Sequence, residues 1–442
     1  MRETARDEQP PGVPEMAKQG GDIRGRWSWV EPSVWTDRML EALEHGVRGG
    51  TWFSLIDKVS ARRNLEAAWQ QVRRNRGAAG ADRMTVEHFE GHAERYLSEL
   101  ACEITGGRYR PTPVRRCWIP KPGTAKKRPL GIPTIRDRVV QAALRNVLEP
   151  IFERKFAATS YGFRPGRGCK DALRRVAELL GQGYTWVVDA DIASYFDTID
   201  HELLMDDVHE EVADGRVLEL VRAMLKVGVL EDGAVTELEA GTPQGGVISP
   251  LLANIYLHPV DVVLGHAGYS IVRYADDLVV LCRSNAEAEA ALGLLRSTMA
   301  RRRLTLHPTK TRIADAINEG FDFLGYHFQG GDRWPRTKSQ KKLREAIRAH
   351  TRRTNGHSME AIIAQINPIL RGWFNYFKHS RRATFSPVDG WVRMRLRSIL
   401  RKRSGRRGRG HGTDHRRWPN AYFTALGLFT MVEAHAAALQ SQ

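Results

Sequence analysis

The sequence has few cysteines and no long hydrophobic run. Its 442 residues include four cysteines, and no two of them form a Cys-x-x-Cys pair. This pattern argues against a disulfide framework and against a zinc site, and it fits a reducing cytoplasm. No stretch of about 18 apolar residues is present, so no membrane span is predicted. The polar, proline-containing N-terminus has no secretory signal pattern. We therefore expect a cytoplasmic protein without a membrane partner.

Acidic residues are scarce in the last quarter of the chain. From Lys341 onward there are 21 Lys and Arg against 5 Asp and Glu, a net charge of +16. The preceding 340 residues carry a net charge of only +1. A basic region of this kind attracts phosphate backbones and releases their counterions. The distribution predicts a nucleic-acid partner and places the contact surface toward the C-terminus.

Length and local composition predict several domains. A chain of this size exceeds one ordinary hydrophobic core, so two or three domains are expected. Residues 1–35 lack an apolar period and predict a flexible tail. Residues 338–404 have a basic, mostly helical pattern, followed by an Arg/Gly-rich stretch, 401–412, that predicts a linker. One short helix is expected over 422–439.

The four residues Tyr274-Ala275-Asp276-Asp277 lie between two apolar runs rich in β-branched residues. Such runs predict strands, so the aspartates are expected at the tip of a β-hairpin. Adjacent carboxylates repel each other unless a cation binds there. Mg²⁺ typically binds one or two carboxylates together with substrate phosphates. The hairpin therefore predicts half of a metal site for phosphoryl or nucleotidyl transfer, although an ordinary polar turn remains an alternative at this point.

Asp191 is the expected partner of that hairpin. It ends an apolar run that predicts a buried strand, and Phe196 follows five residues later. Three carboxylates from separate segments suit a two-metal centre, in which one ion activates a 3′-hydroxyl and the other stabilises the leaving pyrophosphate. Asp189 lies on the same predicted strand face and is the alternative ligand.

Two further stretches have residue types suited to a nucleotide. A basic predicted hairpin contains Lys121 and Arg128, which could neutralise charge on a triphosphate. The loop Gly241–Gly246 permits close backbone approach to a ligand, and Gln244 offers a donor and an acceptor. Each stretch alone is weak evidence, because a solvated basic loop and a simple glycine turn have the same composition.

The order of these segments resembles the right-hand reverse transcriptases, and most closely the proteins encoded by bacterial group II introns. A later block, Asn367–Phe377, looks like the maturase or thumb region of those proteins. The resemblance covers about residues 52–430. The matching stretches are Arg76–Asp82, Arg128–Pro133, Tyr161–Pro165, Asp191–Asp197, Gly241–Leu252, Tyr274–Asp277 and Phe323–Gly325.

The resemblance implies an α+β fold with fingers and an antiparallel palm sheet, followed by a helical thumb. It implies a tail over 1–35, an N-terminal extension and the start of the fingers over 36–110, and fingers and palm over 111–335. A thumb or maturase domain would occupy 336–405, and a basic extension 406–442. The implied activity is RNA-directed DNA synthesis from dNTPs, on an RNA template and a DNA primer or target, with two Mg²⁺ ions. Binding of group II intron RNA, assistance of its splicing and mobility by retrohoming are implied as well.

The resemblance also assigns site residues. The metal ligands would be Asp191, Asp276 and Asp277, with the Ile192 carbonyl nearby. The dNTP site would contain Lys121, Arg128, Gln244 and Phe196, the last as a steric gate against the ribose 2′-hydroxyl. The primer grip would be Phe323, Leu324 and Gly325. The RNA-binding cations would be Arg371, Lys378, Arg381, Arg382, Arg393 and Arg397.

One departure from the family pattern concerns an endonuclease domain, which nothing in this sequence resembles. We therefore expect second-strand priming to depend on another nick or a nascent replication strand. Two alternatives differ in function. One is a splicing factor with a decayed polymerase, and the other is a host-adapted reverse transcriptase used in phage defence or linked to CRISPR adaptation.

Overall fold

The structure is a computed structural model that describes residues 23–47, 49–120, 127–236, 240–408 and 412–440. The chain divides into two compact units. The first contains the described residues up to Val176 together with Ala190–Arg312, and the second contains Ala177–Asp189 and Ile313–Gln442. In the described ranges no helix has both the length and the apolar character needed to cross a membrane.

Helices supply most of the first unit. Its helices are α1 (Ile23–Arg26), α2 (Asp37–His45), α3 (Ile56–Ser60), α4 (Arg62–Asn75), α5 (Val86–Gly91), α6 (Ala93–Thr105), α7 (Ile135–Glu153), α8 (Cys169–Gly181, which continues into the second unit), α9 (Tyr195–Thr198), α10 (His201–His209), α11 (Gly215–Leu225), α12 (Ser249–His266) and α13 (Asn285–Arg301). Its strands are β1 (Val114–Pro120), β2 (Lys127–Ile132), β4 (Val229–Glu231), β5 (Ala234–Thr236), β6 (Ser270–Tyr274) and β7 (Asp277–Cys282). The strand β3 (Trp186–Ala190) begins in the second unit and ends in the first.

The predicted basic hairpin is present in the first unit. Strands β1 and β2 pair antiparallel, with Ile119 opposite Arg128, and the sheet continues through β4 and β5 in the order β2-β1-β4-β5. The short pairing of β1 with β4 is parallel. A second hairpin is formed by β6 and β7, in the register that places Tyr274 opposite Asp277. Both hairpins lie where the sequence predicts them.

The core of the first unit is organised around α7, which is buried over nearly its whole length. Thr134 caps this helix by accepting a hydrogen bond from the Asp137 amide at 3.2 Å, as N-cap residues do. Asn64 of α4 donates to the Ala143 carbonyl at 3.0 Å, which joins the two helices through a buried polar contact. The Trp35 indole, completely buried, donates to the Asn146 carbonyl at 2.9 Å.

The burial of Trp35 corrects the prediction of a flexible tail over 1–35. Residues 1–22 lie outside the described residues, but the segment from Ile23 to Trp35 contains α1 and buries Val30 and Val34. This segment has no apolar period because the three buried side chains come from turns rather than from one regular helix. The strand expected near Leu304–Leu306 is likewise reduced to a single bridge between Leu306 and Ile192.

The second unit combines a small sheet with a helical bundle. Its strands are β8 (Arg312–Asp315), β9 (Phe321–Phe323), β10 (Tyr326–Gln329) and β11 (Asp332–Pro335), and its helices are α14 (Thr337–His350), α15 (Met359–Phe377), α16 (Phe385–Arg403), α17 (Asp414–Arg417), α18 (Asn420–Ala425) and α19 (Met431–Gln440). Strands β9, β10 and β11 form an antiparallel meander, and β8 lies beside β3 in another sheet.

One continuous core joins α14, α15 and α16 to the C-terminal helices. Phe423, Leu428 and Met431 belong to the same buried cluster as Ile366 and Leu396. The C-terminal segment therefore completes this core, and the predicted boundary at residue 405 does not separate two folded bodies. The single helix predicted over 422–439 is two helices, α18 and α19, with Gly427 between them at a positive φ of 82°.

Candidate active site

The aspartate pair lies in the turn between β6 and β7, as the sequence predicted. Tyr274 pairs with Asp277, so Ala275 and Asp276 are the two central residues. Ala275 has a positive φ of 58°, a conformation that favours glycine. Gly162 lies so close to this turn that a Cβ there would collide with the Ala275 backbone nitrogen. The glycine at position 162 is therefore required for the Tyr161–Pro165 loop to pack against the turn.

A buried ion pair between Arg273 and Asp261 supports the turn. The Arg273 guanidinium is fully buried and donates to Asp261 from Nε at 2.8 Å and from Nη2 at 2.5 Å. It also donates from Nη1 to the Ala275 carbonyl at 3.0 Å and to Asn254 Oδ1 at 2.9 Å. The bond to the Ala275 carbonyl fixes the backbone next to Asp276, and the bonds to Asp261 and Asn254 hold the guanidinium in place. Sequence reasoning missed this support, although an isolated charge inside each of two apolar runs is a signal for such a pair.

Asp191 follows β3 directly and is held through its backbone. The His307 amide donates to the Asp191 carbonyl at 2.7 Å, and Thr311 Oγ1 accepts from the Asp191 amide at 3.3 Å. Its carboxylate accepts a hydrogen bond from Lys310 Nζ at 2.7 Å. Lys310 is a cation that sequence reasoning also missed, because 119 residues separate it from its partner. The alternative ligand Asp189 belongs to the second unit.

Within the first unit, the charges of Asp276 and Asp191 interact. Burial raises the pKa of the Asp276 carboxyl, and the negative charge of Asp191 raises it further. The positive charges of Arg128 and Arg273 act in the opposite direction. A like-charge pair of oxygen donors fits a hard divalent cation, which would relieve the repulsion. Asp277 begins β7 and is exposed.

No group of three or more His, Cys, Asp or Glu side chains within the described ranges is arranged to hold a metal ion. Within the first unit, the two carboxylates whose charges interact are those of Asp191 and Asp276. Mg²⁺ commonly uses one or two protein carboxylates and completes its coordination with water and substrate phosphates. The two carboxylates therefore fit a site of that kind.

Phe196, the predicted steric gate, is fixed by its neighbours along α9. The Tyr195 ring is 2% exposed, its hydroxyl donates to the Ala253 carbonyl, and its centroid lies 5.3 Å from that of Phe196. The Thr242 amide donates to the Phe196 carbonyl at 2.8 Å. Gly241 has a φ of +86°, and a Cβ there would lie 2.8 Å from the same carbonyl. The backbone of the half-buried Phe196 is thus hydrogen-bonded to the loop Gly241–Gly246.

The same loop reaches the basic hairpin. The Gly131 amide of β2 donates to the Gln244 carbonyl at 2.7 Å, and a Cβ on Gly245 would lie 2.5 Å from the Gly131 carbonyl. The Gln244 side chain donates to Asp197 Oδ1 at 3.4 Å, directly after the gate residue. The structure therefore joins the Phe196 turn, the Gln244 loop and the strand that carries Arg128. Lys121 lies outside the described residues.

The predicted primer grip forms a tight turn in the second unit. Phe323 pairs with Tyr326, and the central residues Leu324 and Gly325 both have positive φ, 45° and 86°. Positive φ at both positions is the type I′ pattern of two-residue hairpins. The Tyr376 hydroxyl of α15 donates to the Leu324 carbonyl at 2.7 Å. The hydrogen bond connects the turn to the maturase-like block, a link that the sequence did not predict.

The predicted RNA-binding cations divide into two groups. Arg371, Arg381 and Arg382 are exposed, and Lys378 and Arg393 are partly exposed. Arg397 is 2% exposed and donates to the Trp418 carbonyl at 2.9 Å and to Asn420 Oδ1 at 2.7 Å. Its assignment to RNA is therefore wrong, because its donors are used to hold the C-terminal segment against α16. An arginine two residues from others of the same charge gives no local sign of this role.

Comparison with known proteins agrees with the resemblance. A family model described as reverse transcriptase (RNA-dependent DNA polymerase) matches residues 119–328. A second, described as group II intron, maturase-specific domain, matches residues 340–418.

Three curated relatives extend the comparison. Protein YkfC of Escherichia coli (strain K12) is 36% identical over 290 residues, covering 56% of this chain and 74% of that protein. The group II intron-encoded protein LtrA of Lactococcus lactis subsp. cremoris is 40% identical over 194 residues, 44% of this chain and 32% of LtrA. A 91 kDa protein in the cob intron of Schizosaccharomyces pombe is 30% identical over 357 residues, 61% of this chain and 44% of that protein. The chain thus spans less than half of the last two relatives. Taken with the α+β fold and the paired aspartates, the matches show that this chain belongs to the reverse transcriptases that carry a group II intron maturase-specific domain.

Proposed function

We propose that the chain synthesises DNA on an RNA template with Asp191, Asp276 and Asp277 as its catalytic carboxylates. We propose further that it binds group II intron RNA and assists its splicing and mobility. The observation that carries the first proposal is the electrostatic coupling of Asp276 to Asp191 at a turn that the buried Arg273 holds in place. Because this chain belongs to the reverse transcriptase family, we interpret the carboxylate pair as catalytic carboxylates of DNA synthesis.

The three aspartates would hold two Mg²⁺ ions, with the Ile192 carbonyl beside them. Bound Mg²⁺ would lower the pKa of the primer 3′-hydroxyl and stabilise charge on the leaving pyrophosphate. The role of this chain's own residues is to position the ions and the dNTP. Arg273 and Gly162 fix the turn of Asp276, and the amide of His307 fixes the backbone of Asp191.

The dNTP would lie between the gate loop and the basic hairpin. Arg128 and Lys121 would pair with its phosphates, and Gln244 would line the base and sugar pocket. The Phe196 ring would occupy the space that a ribose 2′-hydroxyl needs, so that ribonucleotides are excluded by steric contact. In the second unit, Phe323, Leu324 and Gly325 would contact the primer end.

Intron RNA is assigned to the second unit because the maturase-specific match and most of the excess positive charge lie there. The exposed or partly exposed cations Arg371, Lys378, Arg381, Arg382 and Arg393 would contact its phosphates. Their role is binding, which stabilises a fold in which the RNA performs its own chemistry. A splicing factor with a decayed polymerase is less well supported, because the Phe196 turn, the Gln244 loop and the aspartate turn are each held by specific contacts.

Primer extension tests the polymerase proposal. The full chain is incubated with an oligo(dT) primer on a poly(rA) template, dTTP and Mg²⁺, and product is measured against time. We expect extension by the wild type that stops when EDTA removes Mg²⁺, and no extension by Asp191→Asn. Glu219→Gln is the control with the same change of charge, because Glu219 is an exposed residue of α11. Folded wild-type protein that makes no product, or an Asp191→Asn variant as active as Glu219→Gln, would refute the proposal.

A further inference from the structure

A cavity in the second unit is lined almost entirely by cations. Its volume is about 320 Å³, and its lining residues are Arg353, Lys402, Gly405, Arg406 and Arg407. It lies where the loop after α14 meets the loop after α16, and all its lining residues fall within the maturase-specific match. None of the candidate site residues discussed above lines it.

The end of α16 builds one side of this cavity. Gly405 has a φ of +78°, its amide donates to the Lys402 carbonyl at 3.0 Å, and the Arg406 amide donates to the Arg401 carbonyl at 3.0 Å. These two bonds form a Schellman motif, which stops the helix and fixes the following backbone. The motif turns the chain so that Arg406 and Arg407 follow Lys402 around one concave surface.

Only some of the cations from Arg401 to Arg407 donate hydrogen bonds that hold the fold together. Arg401 donates to the buried Asp414 at 2.6 Å and to the Arg407 carbonyl at 2.7 Å. Arg403 donates to the Asn355 carbonyl at 3.1 Å and to the His357 carbonyl, which ties the loop that contains Arg353 to the helix. These two arginines therefore hold the walls together.

Acidic side chains of the described residues neutralise little of the positive charge on the lining cations. Arg353, Lys402 and Arg407 are exposed and form no ion pair with the described part of the chain, and Arg406 approaches Asp414 only at 3.9 Å. Like charges held around a concave surface repel one another, and the repulsion is relieved when an anion enters. Arginine and lysine together suit phosphate, the first by bidentate hydrogen bonds and the second as a point charge.

We propose that this cavity binds backbone phosphate of structured RNA. The proposal rests on the proposed binding of intron RNA and names the residues that would recognise it. Structured RNA is recognised largely through its shape and through contacts to its phosphates and 2′-hydroxyls, and a concave cationic site can make contacts of that kind. The location within the maturase-specific match supports the same ligand.

Salt-dependent binding tests the proposal. The full chain is titrated with a fluorescently labelled transfer RNA as the structured probe, and its dissociation constant is measured by anisotropy at several salt concentrations. Lys402→Gln/Arg407→Gln should weaken binding about fivefold near 0.1 M salt and reduce the slope of log K against log salt by about one. Lys341→Gln/Lys342→Gln is the matched control, because it removes the same charge from exposed positions on α14. It should change both quantities much less.

Two results would overturn the proposal: equal weakening by both pairs of substitutions, or stronger loss of affinity for a DNA duplex of similar length than for the RNA. Thermal unfolding of each variant shows that the fold is intact, and Lys402→Gln alone serves if the double variant fails to fold. Extension of oligo(dT) on poly(rA) should be unchanged. Wild-type protein that does not bind the RNA at all would refute the proposed intron RNA function, whereas binding that the cavity substitutions leave intact would refute this site alone.

Discussion

The two units each contain a hairpin turn of two residues, and the two turns are supported in different ways. In the first unit, Ala275 has positive φ, and its carbonyl accepts a hydrogen bond from the buried Arg273 at 3.0 Å. In the second, Leu324 has positive φ, and its carbonyl accepts a hydrogen bond from the Tyr376 hydroxyl at 2.7 Å. Both turns thus have positive φ at the first central residue, and only the second turn has it at the next residue, Gly325. The support is a buried charge in one unit and a neutral hydroxyl in the other.

The difference follows from what each turn presents. The turn of the first unit carries carboxylates, and a cation beneath it offsets part of their repulsion as well as fixing the backbone. The turn of the second unit carries Leu324 and Gly325 and has no charge to offset, so a hydroxyl is sufficient. Removing one partner of the charged support is expected to cost more stability than removing the neutral hydroxyl, because it leaves a buried charge unpaired.

The largest expected effect is on catalysis at the charged turn. Asp276→Asn should lower the rate of DNA synthesis by about 10³-fold or more, because metal ions supply several kcal/mol of transition-state stabilisation. Its unfolding temperature should stay the same or rise, since asparagine removes the repulsion with Asp191. Single-turnover extension and thermal unfolding, with Glu219→Gln as control, measure the two effects. A lowered unfolding temperature together with lost RNA binding would make Asp276 a structural residue.

The next effect concerns the support of that turn. Arg273→Met leaves Asp261 buried without its ion-pair partner, and we expect the free energy of unfolding to fall by about 3–5 kcal/mol. Urea unfolding of the full chain measures this change. The double variant Arg273→Met/Asp261→Leu should recover most of the loss, because no unpaired charge remains. A double variant as unstable as the single one would show that the bonds to the turn, rather than the ion pair, provide the stability.

A smaller effect is expected on substrate choice. Phe196→Ala should reduce discrimination against ribonucleotides by about 10- to 100-fold, the range expected when a steric contact in a pocket is removed. The ratio of kcat/KM for dTTP and UTP on poly(rA) measures it. Tyr195→Phe is the control, because it removes only the hydroxyl that bonds to Ala253 and keeps both rings. Unchanged discrimination in Phe196→Ala would refute the gate assignment.

The neutral turn should respond more weakly still. Tyr376→Phe removes the hydroxyl that bonds to the Leu324 carbonyl, and we expect about 1 kcal/mol of destabilisation. The loss should be several times smaller than for Arg273→Met in the same urea experiment. An equal loss at the two positions would contradict the distinction between charged and neutral support.

Much of this arrangement could be predicted from the sequence, because its signals are local. The apolar runs around Asp276 predicted both strands and their turn, and the basic segment was predicted as a hairpin, which β1 and β2 form. The supports could not be predicted, because they join distant residues. Tyr376 lies 52 residues from Leu324, and Lys310 lies 119 residues from Asp191. Periodicity contains no information about such pairs.

Backbone conformation also escaped prediction where the residue type gave no sign. Turn signals rely on Gly, Asn and Asp, whereas the positive φ values occur at Ala275 and Leu324. The predicted role of Arg397 in RNA binding was wrong for a related reason. The burial of a side chain depends on which other segment of the chain packs over it. Only the packing of residues 418–420 against α16 shows that this arginine is structural.

The smallest expected effect on stability is that of Leu324→Gly. This variant distinguishes backbone strain at Leu324 from a contact of its side chain with the primer. A left-handed conformation costs a residue other than glycine about 1 kcal/mol, and a new glycine adds somewhat less than that in unfolded-state entropy. Leu324→Gly should therefore raise the free energy of unfolding by about 0.5 kcal/mol or leave it unchanged. Ala275→Gly, at the matched position of the other turn, should behave alike in urea unfolding. If the Leu324 side chain contacts the primer, only Leu324→Gly should raise the primer concentration needed for half-maximal extension. Equal primer dependence in the two variants would leave the strained leucine without a role in the primer grip.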